Sequence, residues 1–115
     1  MSVSERHVGT VTIVDVTGEL TQGAAGDTLL DKVASLMQQG PKDVLINLGD
    51  VTSMDSTGLG TLVAAFTTAR RRGGSLKLLN LTKRLHDQLV VTKLSKMFEC
   101  FDDEALAVSS FGTPA

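Results

Sequence analysis

The chain has few of the residues on which metal-binding, disulfide-stabilised or nucleic-acid-binding domains depend. It contains one cysteine, Cys100, and two histidines, His7 and His86. An intrachain disulfide is therefore excluded, and no recognisable metal-ligand spacing is present. Its only aromatic residues are four phenylalanines, and its net charge is -2. Because nucleic-acid binding uses a positive surface and stacking rings, we expect no nucleic-acid partner.

Long apolar runs are also missing from the sequence. None approaches the roughly 20 residues of a transmembrane helix, and the charged N-terminal segment lacks the apolar core of a signal peptide. We therefore expect a cytoplasmic protein without a membrane partner, in which Cys100 is a small core residue. At 115 residues, the chain fits one domain spanning residues 1–115, with a flexible tail after about residue 111.

Hydrophobic periodicity predicts alternating strands and helices. Helical spacing is clearest from Ala24 to Gln39, and the apolar run 44–48 is typical of a strand covered on both faces. The predicted strands are residues 3–8, 8–16 (with a turn at Gly9-Thr10 and an end at Gly18), 44–48, 76–81 and 97–101. The predicted helices are residues 24–39 (ended by Gly40-Pro41), a helix after the acid-hydroxyl loop that runs to about residue 72 (ended by Gly73-Gly74), 83–92 (capped by Thr82) and 103–109. This order predicts an α/β domain with a parallel or mixed sheet.

The stretch Met54-Asp55-Ser56-Thr57-Gly58-Leu59-Gly60 is the most informative in the chain. An acid and two hydroxyl residues stand where a helix begins, and one of them would suffice to cap it. The two glycines should each cost a helix interior about 1 kcal/mol relative to alanine. Residues that disfavour the local secondary structure, without a visible structural reason, often mark a functional site. We interpret this loop as a surface for docking a partner, with a switchable serine, Ser56, at its centre.

The helix that follows is predicted to have one apolar face and one face of small residues. The apolar face contains Leu59, Leu62, Val63 and Phe66, and the opposite face contains Thr57, Gly60, Thr61, Ala64 and Thr68. Such a smooth strip would let another protein approach closely, whereas a solvated face usually carries Lys, Glu or Gln. The alternatives are a surface helix of poor propensity and a helix covered by a neighbouring loop. Arg70-Arg71-Arg72 at its end complements the helix dipole.

Several familiar catalytic sites do not fit this sequence. Gly58-Leu59-Gly60 lacks the third glycine of a dinucleotide fingerprint, and no P-loop lysine is present. Ser56 lacks the preceding glycine of a hydrolase elbow, so it would be a nucleophile only if the fold brought His7 or His86 to it. We therefore expect no catalytic residue, no metal and no cofactor.

The motif Asp55-Ser56-Thr57-Gly58-Leu59-Gly60 after an apolar strand resembles the signature of the STAS family, which joins sulfate transporters and anti-sigma-factor antagonists. Thr17-Gly18-Glu19-Leu20 resembles the second recurrent stretch of that family. The length and element order are similar over nearly the whole chain. The resemblance implies the STAS fold, a mixed sheet of four or five strands with about four helices packed on it.

The resemblance also implies a function, that of a free-standing anti-sigma-factor antagonist. Such a protein binds an anti-sigma factor that is also a serine kinase, and this binding frees a sigma factor. The kinase phosphorylates the serine after the motif aspartate, here Ser56 with Thr57 as the alternative, and a serine phosphatase reverses the modification. The antagonist is a ligand and substrate, not an enzyme, and a monomer or weak dimer is expected. The expected partner-binding residues are Asp55, Ser56, Thr57, Gly58, Gly60, Thr61, Ala64 and Thr21, where Thr21 replaces an aspartate common in antagonists.

Three other functions remain open at this stage. The chain could be a scaffold of a larger, stressosome-like signalling assembly, in which Ser56 and Thr57 would regulate packing. It could be a separate STAS subunit of a transporter. It could also be a hydrolase that uses Ser56, for which a serine-reactive phosphonate would be the discriminating label.

Overall fold

Over the described residues, the computed structural model is a five-stranded mixed sheet with four helices packed on it, which confirms the α/β class expected from the sequence. The structure describes residues 2–21, 24–39 and 43–111, and residues 24–27 are described by their backbone alone. The strands are β1 (Ser2–Val8), β2 (Val11–Leu20), β3 (Asp43–Met54), β4 (Ser75–Leu79) and β5 (Cys100–Phe101). The helices are α1 (Ala24–Gln39), α2 (Ser56–Arg71), α3 (Lys83–Val91) and α4 (Glu104–Phe111).

The strands lie in the sheet in their chain order, β1 to β5. β1 and β2 form an antiparallel hairpin, and each later strand runs parallel to its neighbour. Parallel neighbours require a crossover, which the helices between them supply. The carboxyl ends of β2, β3 and β4 consequently meet at one edge of the sheet, where α2 and α3 begin.

Both faces of the sheet are covered by helices. On one face, Val44, Ile46 and Leu48 of β3 pack in a large core with residues of α1, α2 and α3. On the other face, Leu45 packs in a smaller core with Ala107 of α4. Successive residues of a strand point to opposite faces, so a strand buried on both sides has a continuous apolar run. The structure confirms this expectation for residues 44–48.

Two strands extend further than the sequence pattern predicts. β2 does not end at Gly18 but continues to Leu20, with register shifts on either side of this glycine. Gly18 has a φ of 94°, which a residue with a side chain rarely adopts, so it forms an irregularity within the strand. β3 continues to Met54, which pairs with Leu20. Because the two extensions pair with each other, both strands reach the start of α2 although their sequences contain polar residues.

The last predicted strand is shorter than expected, and one core assignment was wrong. β5 comprises two residues, Cys100 and Phe101, while Met97 and Phe98 lie in the preceding turn. Cys100 is exposed rather than part of the core, because it belongs to this short edge strand. The predicted helix stop at Gly40-Pro41 and the tail beyond residue 111 lie outside the described residues.

A network around Arg6 ties three strands to α4. Its guanidinium donates to Asp15 at 2.7 Å and 3.2 Å, and to Glu104 of α4 at 2.6 Å and 3.0 Å. Asn47 of β3 donates to the same Asp15 carboxylate at 2.8 Å. Hydrogen bonds from Arg6 hold the pKa of both Asp15 and Glu104 below the usual values.

We expect this network to make folding stability fall in acid. A carboxylate whose pKa is lower in the folded state stabilises the fold above its unfolded pKa, and this stability is lost as the pH falls through the folded pKa. The loss of stability is therefore expected below about pH 4.5, in the range where carboxyl groups with an unperturbed pKa become protonated. In this pH range, the urea concentration at the unfolding midpoint should fall more steeply with decreasing pH for the native chain than for Arg6→Met. Arg71→Met, at an exposed position on α2, should retain the native pH dependence, and equal slopes for all three proteins would contradict this assignment.

Candidate functional site

Ser56 is exposed at the first turn of α2, at the carboxyl edge of the sheet. The preceding Asp55 has extended backbone angles and caps the helix, since its Oδ1 accepts a hydrogen bond from the Gly58 N–H at 2.9 Å. The capping acid fixes where the helix begins, and so it fixes the position of the next residue. Thr57 is also exposed. The two candidate hydroxyls are therefore both accessible.

Gly58, expected from the sequence to be one of the partner-binding residues, is buried. A Cβ atom at this position would lie 2.0 Å from the carbonyl oxygen of Leu20 and 2.9 Å from Cγ of Met54. The glycine is needed because α2 starts in close contact with the end of β2. The cost of this glycine in a helix is thus explained by packing, without a partner.

Thr21 lies directly after β2, close to the start of α2. Its neighbour Leu20 accepts a hydrogen bond from the Asp55 backbone N–H at 3.4 Å. The side chain of Thr21 is partly exposed. The fold therefore brings this residue and the acid-hydroxyl loop to the same edge, although they are distant in the sequence.

The small-residue face of α2 is partly open. Gly60 is exposed, and a Cβ atom built on it meets nothing within 4 Å. Thr61 and Ala64 are half-buried. The Thr61 hydroxyl donates to the Thr57 carbonyl at 3.1 Å, so its proton is already used within the helix. Ser56, Gly60 and Ala64 are spaced by four residues and form one line along the helix.

The buried face of α2 includes the predicted one and extends beyond it. Leu59 and Leu62 are buried, and Val63 and Phe66 are half-buried and pack against the core, as expected. Ala65 and Ala69 are also fully buried, on the side of the helix where Gly58 meets the end of β2. Small residues suit that side, since the helix lies close to its neighbours there.

A groove between α2 and α3 begins at Ser56. It has a volume of about 650 Å³, and its lining combines apolar and charged side chains: Ser56, Leu59, Lys83, Arg84, Asp87, Gln88, Val91 and Thr92. Val91 is 80% exposed, which is unusual for an aliphatic residue on a helix. The α3 side of this groove was not predicted as part of the site. A sequence signal did exist, because Lys83 and Arg84 occupy the first helical turn, where cations are disfavoured.

Gln88 fixes α3 beside the acid-hydroxyl loop. Its Nε2 donates to the backbone carbonyl of Met54 at 2.7 Å, at the end of β3. The Thr82 hydroxyl caps α3 by accepting from the Leu85 N–H at 3.2 Å, as the sequence predicts. The first contact ties α3 to the end of β3, and the second marks where α3 begins.

The histidines lie elsewhere in the structure. His7 of β1 contacts Glu5 and Thr12, and His86 lines a separate pocket with Cys100 and Asp102. Neither is among the residues that line the Ser56 groove. Within the described ranges, His, Cys, Asp and Glu side chains do not gather into a group of three or more suited to a metal ion. No helix in those ranges combines the length and apolar character needed to span a bilayer.

The family model described as the STAS domain matches residues 2–107. The chain belongs to the STAS family. An anti-sigma-B factor antagonist of Bacillus subtilis is 41% identical over 86 residues, which is 75% of this chain and 77% of the relative. These findings confirm the family indicated by the two sequence motifs.

Solved structures confirm the STAS fold. The crystal structure of a Thermotoga maritima protein superposes with a TM-score of 0.87 at 21% identity, covering 96% of this chain and 95% of that one. The phosphorylated form of the Bacillus cell fate determinant SpoIIAA superposes with a TM-score of 0.74 at 19% identity, covering 95% and 98%. At these identities, the likeness concerns the fold.

Proposed function

We propose that this STAS protein is an anti-sigma factor antagonist switched by phosphorylation of Ser56. In the unmodified form it binds an anti-sigma factor that is a serine kinase, and this binding releases a sigma factor. The observation that carries the proposal is an exposed serine at the start of α2, beside an open small-residue strip and a groove. The names of its curated relatives support the same function.

The partner is proposed to dock across the start of α2. Asp55 and Thr57 flank Ser56 in the chain, and Thr21 lies at the same sheet edge. The strip of Gly60, Thr61 and Ala64 continues along the helix. Gly58 supports this surface from inside by letting α2 lie against β2. Close approach of a partner backbone is easiest where side chains are smallest, so Gly60 is the expected point of closest contact.

Phosphorylation would act on binding more than on folding. Phosphate adds about -1.5 to -2 charge at neutral pH, and the N-terminus of a helix favours an anion. The fold should therefore tolerate the group. Inside an interface, the same charge would have to lose its water next to the acidic Asp55. The protein in this proposal is a ligand and a substrate, and a serine phosphatase restores its binding form.

Ser56 is proposed as the acceptor in preference to Thr57, because Ser56 lines the groove and Thr57 does not. The kinase can be recovered by pull-down with the immobilised protein and identified by mass spectrometry. With this kinase and labelled ATP, we expect Ser56→Ala to abolish phosphate incorporation and Thr57→Ala to retain it. Mass spectrometry of the modified protein should locate the phosphate on residue 56. Incorporation into Ser56→Ala but not Thr57→Ala would transfer the role to Thr57.

A further inference from the structure

Two cations stand at an electrostatically unfavourable place beside Ser56. Lys83 and Arg84 are the first two residues of α3, and the first turn of this helix has no acidic residue. The positive end of the helix dipole disfavours cations there. Both side chains are exposed, so packing does not require either of them.

These cations share the groove with Ser56. Lys83, Arg84 and Ser56 all line it, and within the described residues neither cation forms an ion pair. Asp87 is the carboxylate of the groove, one helical turn further along α3. The two cations at the rim are therefore available to a second anion, and the hydroxyl in the same groove is the one proposed to receive a phosphate.

We propose that Lys83 and Arg84 bind the phosphate of phosphorylated Ser56 and hold it within the groove. This inference rests on the proposed modification of Ser56. The Arg84 guanidinium can donate two parallel hydrogen bonds to phosphate oxygens, and the Lys83 ammonium adds a mobile positive charge. The contact of Gln88 with the Met54 carbonyl ties α3 to the end of β3, two residues before the serine.

The proposed contact gives the switch a second component. In the unmodified protein, the two cations are free to meet acidic groups of the kinase. In the modified protein, they are neutralised by the chain's own phosphate. The partner then encounters an occupied groove entrance in addition to a new negative charge. Phosphorylation would thereby remove favourable contacts and add an unfavourable one.

The test is a titration of phosphoserine placed at residue 56 by genetic incorporation, observed by ³¹P NMR. The second ionisation of free phosphoserine lies near pH 6, and nearby cations favour the dianion. We expect the phosphate in the native background to reach its titration midpoint at a pH about 0.5 or more below that in the Lys83→Gln/Arg84→Gln double variant. Added salt should reduce this difference, since both cations are exposed.

The matched control is Arg71→Gln/Arg72→Gln, which removes the same charge at the far end of α2. We expect its midpoint to equal that of the native background. Equal midpoints for all three proteins, or equal displacements in both double variants, would overturn the proposed contact. Because the phosphate is installed without the kinase, this result is independent of whether the kinase recognises Ser56. Loss of kinase modification with an intact phosphate contact would instead refute the proposed function.

Discussion

We expect Ser56→Asp to weaken binding of the anti-sigma factor by more than a hundredfold while leaving the fold intact. A carboxylate at the first residue of α2 lies near the positive end of the helix dipole, so it should not destabilise the protein. In the interface, the charge must be desolvated beside Asp55, and a penalty of about 3 kcal/mol corresponds to this loss of affinity. Isothermal titration calorimetry with the recovered kinase measures the change directly.

Two variants separate charge from shape at this position. Ser56→Asn has the size of the aspartate without its charge, and we expect it to bind far more tightly than Ser56→Asp. Ser56→Ala should keep the native affinity and should no longer be released by the kinase with ATP. Equal dissociation constants for the aspartate and alanine variants would refute a charge switch at residue 56.

The second large effect is expected for Gly58→Ala, which should destabilise the fold by about 3 kcal/mol or more. The added Cβ would lie 2.0 Å from the Leu20 carbonyl oxygen, and this neighbour is backbone of a central strand. A shift of β2 would disturb its pairing with Met54, and a shift of α2 would break the hydrogen bond from the Asp55 N–H to the Leu20 carbonyl. Urea denaturation followed by circular dichroism should show a much lower midpoint.

Gly60→Ala is the matched control on the same helix. A Cβ atom at Gly60 meets nothing within 4 Å, so alanine should stabilise the helix by up to about 1 kcal/mol. The same methyl group lies on the proposed docking strip, and we expect it to reduce kinase affinity even though the fold is more stable. Destabilisation of similar size by both alanine substitutions would contradict the structural role assigned to Gly58. A more stable Gly60→Ala protein with native affinity would place the partner elsewhere.

Most of the element order was predictable, and the errors have physical causes. The helix at 24–39 and the two-sided strand at 44–48 follow from local periodicity, which survives folding unchanged. The extension of β2 beyond Gly18 was missed because strand pairing between distant segments compensates for a poor local sequence. The burial of Ala65 and Ala69 was not predicted, because the packing of α2 on its neighbours is also non-local.

The acid-hydroxyl motif indicated Asp55 and Ser56 as site residues, because helix capping and family resemblance are properties of a short segment, and their roles stay predictions. The burial of Gly58 was not predicted, because its neighbour Leu20 is distant in the sequence. The sequence anomaly at Lys83 and Arg84 was visible, but nothing local connected these cations to Ser56.

The sequence by itself determined which segments are strands and helices, the capped start of α2 and membership of the STAS family, since these depend on residues close together in the chain. Only the tertiary structure decided which residues become neighbours. Parallel pairing places the carboxyl ends of β2, β3 and β4 at one edge. Thr21, Ser56 and Lys83 each follow one of these strands, so the sheet assembles the site from three distant segments.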